Sequence, residues 1–127
     1  NKLPWMLEER HRVAERYHFY FDDHDKIETI QRHHQNSKNA YFFYPILVEN
    51  RDTVVERLKA KGIDTRIAYP MPVYEQELYR SGHATYRTTN CPVTERFTSK
   101  VINLPIYPSL TNEQVDWIAK EVLEALS

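Results

Sequence analysis

Between Leu3 and Phe21 the apolar residues Leu3, Met6, Leu7, Val13, Ala14, Tyr17, Tyr20 and Phe21 recur at steps of three and four, with Glu8, Glu9, Arg10, Arg12, Glu15 and Arg16 between them. That spacing predicts an amphipathic helix of about five turns. Pro4 is tolerated in its first turn, and the acidic run from Asp22 to Asp25 ends it, because negative charge at a helix C-terminus opposes the dipole. Residues 26–32 alternate weakly and predict a short edge strand, followed by a polar loop over 33–39. Residues 40–48, Ala-Tyr-Phe-Phe-Tyr-Pro-Ile-Leu-Val, are apolar on both alternate faces and predict a strand covered on both sides. Pro45 cannot donate to a ladder, so its nitrogen must face an edge, a bulge or a gap in pairing.

Asp52 is placed to cap a helix with an inner stripe of Val54, Val55 and Leu58, closed by Gly62 in a left-handed conformation. Ile63, Thr65, Ile67 and Tyr69 alternate with Asp64, Arg66 and Ala68 and predict another strand. Pro70 and Pro72 stop it in a rigid turn. A short helix over 73–79 and an aperiodic polar loop over 80–90 follow. Pro92 opens a brief helix to Lys100, and Val101-Ile102-Asn103-Leu104 is a short strand ended by Pro105. Thr111 and Gln114 have capping-box spacing, Leu110 and Val115 form the hydrophobic staple, and Val115, Ile118, Val122 and Leu126 line one face of a last helix. This order predicts an α+β fold with a small, mainly antiparallel sheet of three or four strands and helices packed chiefly on one face.

At 127 residues the chain is one domain, and 41% hydrophobic against 28% charged residues is a globular balance. Seventeen Lys plus Arg against eighteen Asp plus Glu leave a net charge of −1, without the positive field that binding to nucleic acid requires. No apolar run approaches the roughly 18–20 residues of a membrane span, and the start, Asn1-Lys2-Leu3-Pro4, has no signal-peptide pattern, so a cytoplasmic protein with no membrane partner is expected. With only Gly62 and Gly82 as glycines, Walker-type and dinucleotide-binding loops are absent.

Six histidines raise the question of a metal, but His11 and His18 lie seven apart on one helix face, His33 and His34 are adjacent in a loop, and neither pair has a carboxylate at an obvious orienting spacing. No metal site is expected. Cys91, the single cysteine, precedes Pro92 with no histidine nearby in sequence to act as base and reads as a small packed residue. Tyr41, Phe42, Phe43 and Tyr44 read as core and interface area. The remaining candidate is the corner from Arg66 to Gln76, a polar and aromatic cluster fixed by two prolines, where Tyr69 and Tyr74 can present phenol hydroxyls to a polyhydroxylated ligand at little ordering cost. On physics alone a packed structural corner explains the same residues.

Three ordered segments add a resemblance. Thr65-Arg66-Ile67-Ala68-Tyr69-Pro70-Met71-Pro72-Val73-Tyr74-Glu75-Gln76, then Cys91-Pro92-Val93-Thr94-Glu95, then the run from Ile102 through Leu104-Pro105-Ile106-Tyr107-Pro108 to Val115 resemble the C-terminal part of the DegT/DnrJ/StrS family, sugar aminotransferases of pyridoxal-phosphate fold type I. The resemblance extends over nearly the whole chain. It implies residues 1–24 as a connecting helix from a large domain absent here and 25–127 as the C-terminal small domain. It implies a homodimeric parent that moves an amino group, usually from glutamate, onto a keto carbon of a nucleotide-linked sugar or a cyclitol.

In such enzymes a lysine of the large domain holds pyridoxal phosphate as a Schiff base beside an aspartate that pairs with the pyridine nitrogen. Lys38 and Lys100 follow serines but lie outside the family's lysine segment, so this chain is expected to hold no cofactor covalently, to carry no catalytic residue and to be inactive alone. A non-catalytic binding or regulatory module, or a dehydratase with histidine in place of the lysine, would fit the same residues. The family usually has histidine where this chain has Tyr74, which does not titrate near neutrality. Arg66, Tyr69 and Tyr74 are the residues expected to face substrate, and the leucine-proline run at 104–108 is expected to be structural. The face that meets the large domain is expected to be exposed and to favour self-association.

Overall fold

The computed structural model describes residues 1–30, 38–83 and 90–127. The loop expected over 33–39 lies largely outside the described residues, as does the middle of the one expected over 80–90. The order is α1 (Leu3–Phe21), β1 (Ile27–Thr29), β2 (Tyr44–Val48), α2 (Arg51–Ala60), a 3-10 turn (Val73–Glu75), α3 (Glu77–Arg80), α4 (Pro92–Lys100), β3 (Val101–Leu104) and α5 (Asn112–Ala125). The sheet has the order β1-β2-β3 and is antiparallel throughout, with Ile27 opposite Val48, Ile46 opposite Ile102 and Tyr44 opposite Leu104.

One face of this sheet carries the core. Ile27, Tyr44, Ile46, Val48, Ile102 and Leu104 pack with Val13, Ala14, Tyr17 and Phe21 of α1, Val54 and Leu58 of α2, and Val115, Ile118, Ala119 and Val122 of α5. The alternate positions look the other way, toward α4, whose Arg96 bonds Glu28 of β1. The α+β class and the one-sided packing of the three long helices are therefore as the pattern predicts.

α1 is bound into this core. Its residues Val13, Ala14, Tyr17 and Phe21 are fully buried, the Tyr17 ring stacks on Phe21 at 5.9 Å and the Tyr17 hydroxyl donates to the Pro105 carbonyl at 3.0 Å. Two arginines fasten it to α5: Arg12 donates to the Leu110 carbonyl at 2.6 Å and to Asn112 Oδ1, and Arg16 donates to Asp116 Oδ2 at 2.6 Å. The amino half is different, since Leu3 and Trp5 are more than half exposed. The capping box of α5 forms as expected, with Thr111 Oγ1 accepting from the Gln114 N–H and Gln114 Oε1 accepting from the Thr111 N–H.

Four expectations about the elements are corrected. The strand expected over 40–48 begins only at Tyr44, because Tyr41 takes a φ of 44° and turns its ring back onto α1, edge-on to His11 at 5.0 Å. Asp52 does not cap α2: the N-cap is Asn50 in the left-handed region, and the Asp52 carboxylate accepts from Arg51 Nε at 2.8 Å. Gly62 does close the helix, at a φ of 80°, with its N–H on the Lys59 carbonyl and the Ile63 N–H on the Leu58 carbonyl.

The strand expected over 63–69 is reduced to a single antiparallel bridge, Arg66 to Asn103. Arg66 and Asn103 exchange both backbone bonds, at 3.0 and 2.9 Å. The next bonded pair of that ladder would fall two residues on, at Asp64 and Pro105, and Pro105 has no N–H to give. Asn103 therefore points its backbone bonds away from β2, which makes its pairing with Pro45 a non-bonded one. The Pro45 nitrogen then faces past the end of β1, the gap in pairing that a proline inside a strand demands. The helix expected over 73–79 is split at Gln76, whose ψ of 150° is extended, into the 3-10 turn and α3.

Candidate functional site

The Arg66 bridge anchors the corner to the sheet. Asn103, buried among apolar neighbours, adds a side-chain bond from Nδ2 to the Arg66 carbonyl at 2.9 Å, so the backbone at Arg66 is held three times from one residue. The Arg66 side chain itself is exposed and has no carboxylate partner among the described residues. It lines a groove of about 550 Å³ together with Asp64, Asn103, Tyr107, Gln114 and Trp117, with Phe42 and Phe43 at one side. Tyr107 and Trp117 are each 44% exposed, half their surface open to the groove and solvent.

The three residues expected to face substrate are not gathered into that groove. Tyr69 is 64% exposed and lies outside it, just ahead of the prolines. Tyr74 turns toward α4 and donates its hydroxyl to Glu95 Oε1 at 2.8 Å. Desolvation of the ring, the bond to Glu95 and that carboxylate's charge push the Tyr74 phenol up to about 12, so it remains a donor at neutral pH. Arg66 alone of the three reaches the groove. Tyr107 and Trp117 escaped the sequence reasoning, although a tryptophan left half-exposed on the otherwise amphipathic α5 is a legible signal.

The histidines divide. His18 is buried on α1 with Nδ1 at 3.0 Å from Asp22 Oδ1 and 3.1 Å from the Tyr44 hydroxyl, and its ring meets Tyr41 edge-on. The expectation that no carboxylate orients a helical histidine is thus wrong: Asp22 sits four residues on, one turn away. His33 and His34 lie outside the described residues. Among the described residues no three His, Cys, Asp or Glu side chains come together as a metal site, and no helix is long and apolar enough to cross a membrane.

A lysine that holds an aldehyde cofactor must react as a neutral amine, which needs desolvation or a cationic neighbour. Lys100 is instead ion-paired with Glu49, Lys61 with Glu121 at 3.1 Å, and Lys26 donates to the Leu126 carbonyl. Lys38 is exposed on the rim of a separate, largely apolar hollow beside Leu7 and His11. None of these four lysines is therefore set up as the desolvated amine that holding pyridoxal phosphate requires.

Known proteins place this arrangement. Residues 1–123 match the DegT/DnrJ/EryC1/StrS aminotransferase family. The chain is 35% identical over 88 residues to a UDP-N-acetyl-3-dehydro-alpha-D-glucosamine 3-aminotransferase of Acidithiobacillus ferrooxidans, covering 69% of this chain and 23% of that protein. It is 29% identical over 129 residues to dTDP-3-amino-3,4,6-trideoxy-alpha-D-glucose transaminase of Micromonospora megalomicea, covering 99% of this chain and 34% of the relative. In structure it superposes on Helicobacter pylori PseC, an aminotransferase involved in the biosynthesis of pseudoaminic acid, with a TM-score of 0.84 and 26% identity over 98% of this chain and 34% of that one. The chain thus spans 23% and 34% of the length of these two curated relatives. Matched over nearly its whole length in sequence and in fold, this chain belongs to the DegT/DnrJ/EryC1/StrS aminotransferase family.

Proposed function

We propose that this chain is the small lobe of a pyridoxal-phosphate-dependent sugar aminotransferase that moves an amino group, from glutamate, onto a keto carbon of a nucleotide-linked sugar or a cyclitol. The correspondence of almost all of this chain to about a third of such enzymes carries the reading. The cofactor supplies an electron sink for amino transfer and is held by a lysine in the remaining two-thirds, as part of a cytoplasmic homodimer. The small lobe contributes position. The Asn103 bridge fixes Arg66, Pro70 and Pro72 fix the turn that follows, and Glu95 holds Tyr74, so Arg66, Tyr69 and Tyr74 meet a sugar nucleotide from a backbone whose ordering cost is met during folding.

The test compares this chain with the complete protein. Incubated with pyridoxal phosphate and borohydride, the chain alone should gain no cofactor mass and show no visible cofactor band. The complete protein should do both and transfer an amino group from glutamate to a nucleotide keto-sugar. A complete protein that binds the cofactor yet aminates no nucleotide keto-sugar or keto-cyclitol would sink the proposal.

A further inference from the structure

We infer that His18 is a proton-sensitive latch on Tyr41, and that through Phe42 and Phe43 it couples the charge of this buried histidine to the wall of the groove beside Arg66. The latch does not depend on amino transfer. His18 is 3% exposed, with Nδ1 at 3.0 Å from Asp22 Oδ1 and 3.1 Å from the Tyr44 hydroxyl, and Nε2 at 3.5 Å from the Tyr41 hydroxyl. An ionised carboxylate only accepts, so the hydrogen of the neutral ring sits on Nδ1, where the Tyr44 oxygen shares it. Asp22 is itself fixed by Thr29 of β1, whose Oγ1 donates to the same Oδ1 at 3.0 Å. A second proton can then enter the ring only at Nε2, under the Tyr41 hydroxyl.

Neutral Nε2 accepts from Tyr41 over a loose contact. Protonated, it donates instead, and a charge-assisted N–H···O bond closes to about 2.8 Å, with Asp22 as the countercharge. Among the described residues the titratable groups against His18 are Asp22 at the end of its own helix, Tyr44 from β2 and Tyr41 from the segment ahead of β2, while Arg10 and His11 of α1 also touch Tyr41. Tyr41 is a sensitive residue to pull, because its φ of 44° is one that a non-glycine residue keeps only where its surroundings impose it. Those surroundings are Asn39 Oδ1, which accepts from the Tyr41 N–H at 2.9 Å, Arg10 Nη1, which donates to its carbonyl at 3.4 Å, and the His11 ring edge-on at 5.0 Å. Phe42 and Phe43 follow directly, edge to face at 4.6 Å, and both line the groove that Trp117 lines from α5. A shift at Tyr41 thus reaches the groove wall within two residues.

Trp117 is one of two tryptophans, and Trp5 is exposed on the first turn of α1. A Trp5→Phe variant of the 127-residue chain therefore reports the groove by Trp117 emission, while NMR of the ring protons, assigned by their loss in His18→Gln, reports His18. Emission should change in one step with pH, at the midpoint of His18. Tyr41→Phe, which keeps the ring and removes the hydroxyl, should abolish the emission step while His18 still titrates. Asp22→Asn, which removes the countercharge, should lower both midpoints together by about one pH unit. Circular dichroism checks the fold of each variant, and should either fail to fold, the coincidence of the two midpoints in the Trp5→Phe chain still decides. No titration of His18 between about pH 5 and 8, a titrating His18 with flat Trp117 emission, an emission step that survives Tyr41→Phe, or midpoints unmoved by Asp22→Asn would each overturn the inference.

Discussion

Deletion of residues 1–24 is expected to abolish folding of the remainder, although the family pattern presents that stretch as a connector. Val13, Tyr17 and Phe21 are fully buried, and each contributes about 1.5–3 kcal/mol by leaving water, so α1 supplies on the order of 5–9 kcal/mol. A domain of this size has a net stability of about 5–15 kcal/mol, so the loss takes most or all of it. The arginine ties to α5 and the Tyr17 bond to Pro105 add to the deficit. Residues 25–127 made alone should show no cooperative urea transition by far-ultraviolet circular dichroism, while the complete chain shows one. Tyr17→Ala in the complete chain, which empties the space between Phe21 and Tyr44, should cost about 3–5 kcal/mol. A sharp transition for 25–127 at the midpoint of the intact chain would refute the assignment of α1 to the core.

Asn103→Ala should lower stability by about 1 kcal/mol through the lost bond to the Arg66 carbonyl, whereas Arg66→Ala should stay within about 0.5 kcal/mol, both read from urea midpoints. Thr111→Ala removes half of the capping box of α5 and should cost about 0.5–2 kcal/mol, seen as a lower Tm. Tyr74 should titrate near 12 in carbon-labelled tyrosine NMR, and Glu95→Gln should bring its midpoint back toward the ordinary 10. Because the folded phenol titrates above the unfolded one, its stabilising contribution is intact below pH 10 and lost as pH rises from there through 12; a midpoint indifferent to Glu95 would refute the pairing.

Much of the fold was legible because local chemistry and tertiary packing agree. The steps of three and four in α1, the capping box of α5 and the brief helix behind Pro92 each have a cause within a few residues, and each appears where expected. The failures share another cause. The strand at 63–69 is limited on its Asp64 side by Pro105, some forty residues away, which cannot give the N–H a longer ladder needs there. The start of β2 was decided at Tyr41, whose φ of 44° lies outside strand geometry and whose ring packs on His11 of α1. The corner itself was legible as a fixed turn, but that Tyr74 meets Glu95 and that Arg66 lines one groove with Tyr107 and Trp117 depends on contacts between segments. The His18 and Asp22 pair is the opposite case: its one-turn spacing stands in the sequence, within one helical face.

The unequal fastening of α1 has a mechanical consequence. From Arg12 onward the helix is bolted to α5 and at Arg10 and His11 it meets Tyr41, and ahead of that contact, from Leu3 to Glu9, it extends as a rod of roughly 9 Å with Leu3 and Trp5 exposed. A torque applied at the amino end cannot be absorbed at the carboxyl end and turns the sheet, the groove and the corner together. Any hinge that opens or closes this body against a neighbour must therefore bend within those first turns or ahead of them.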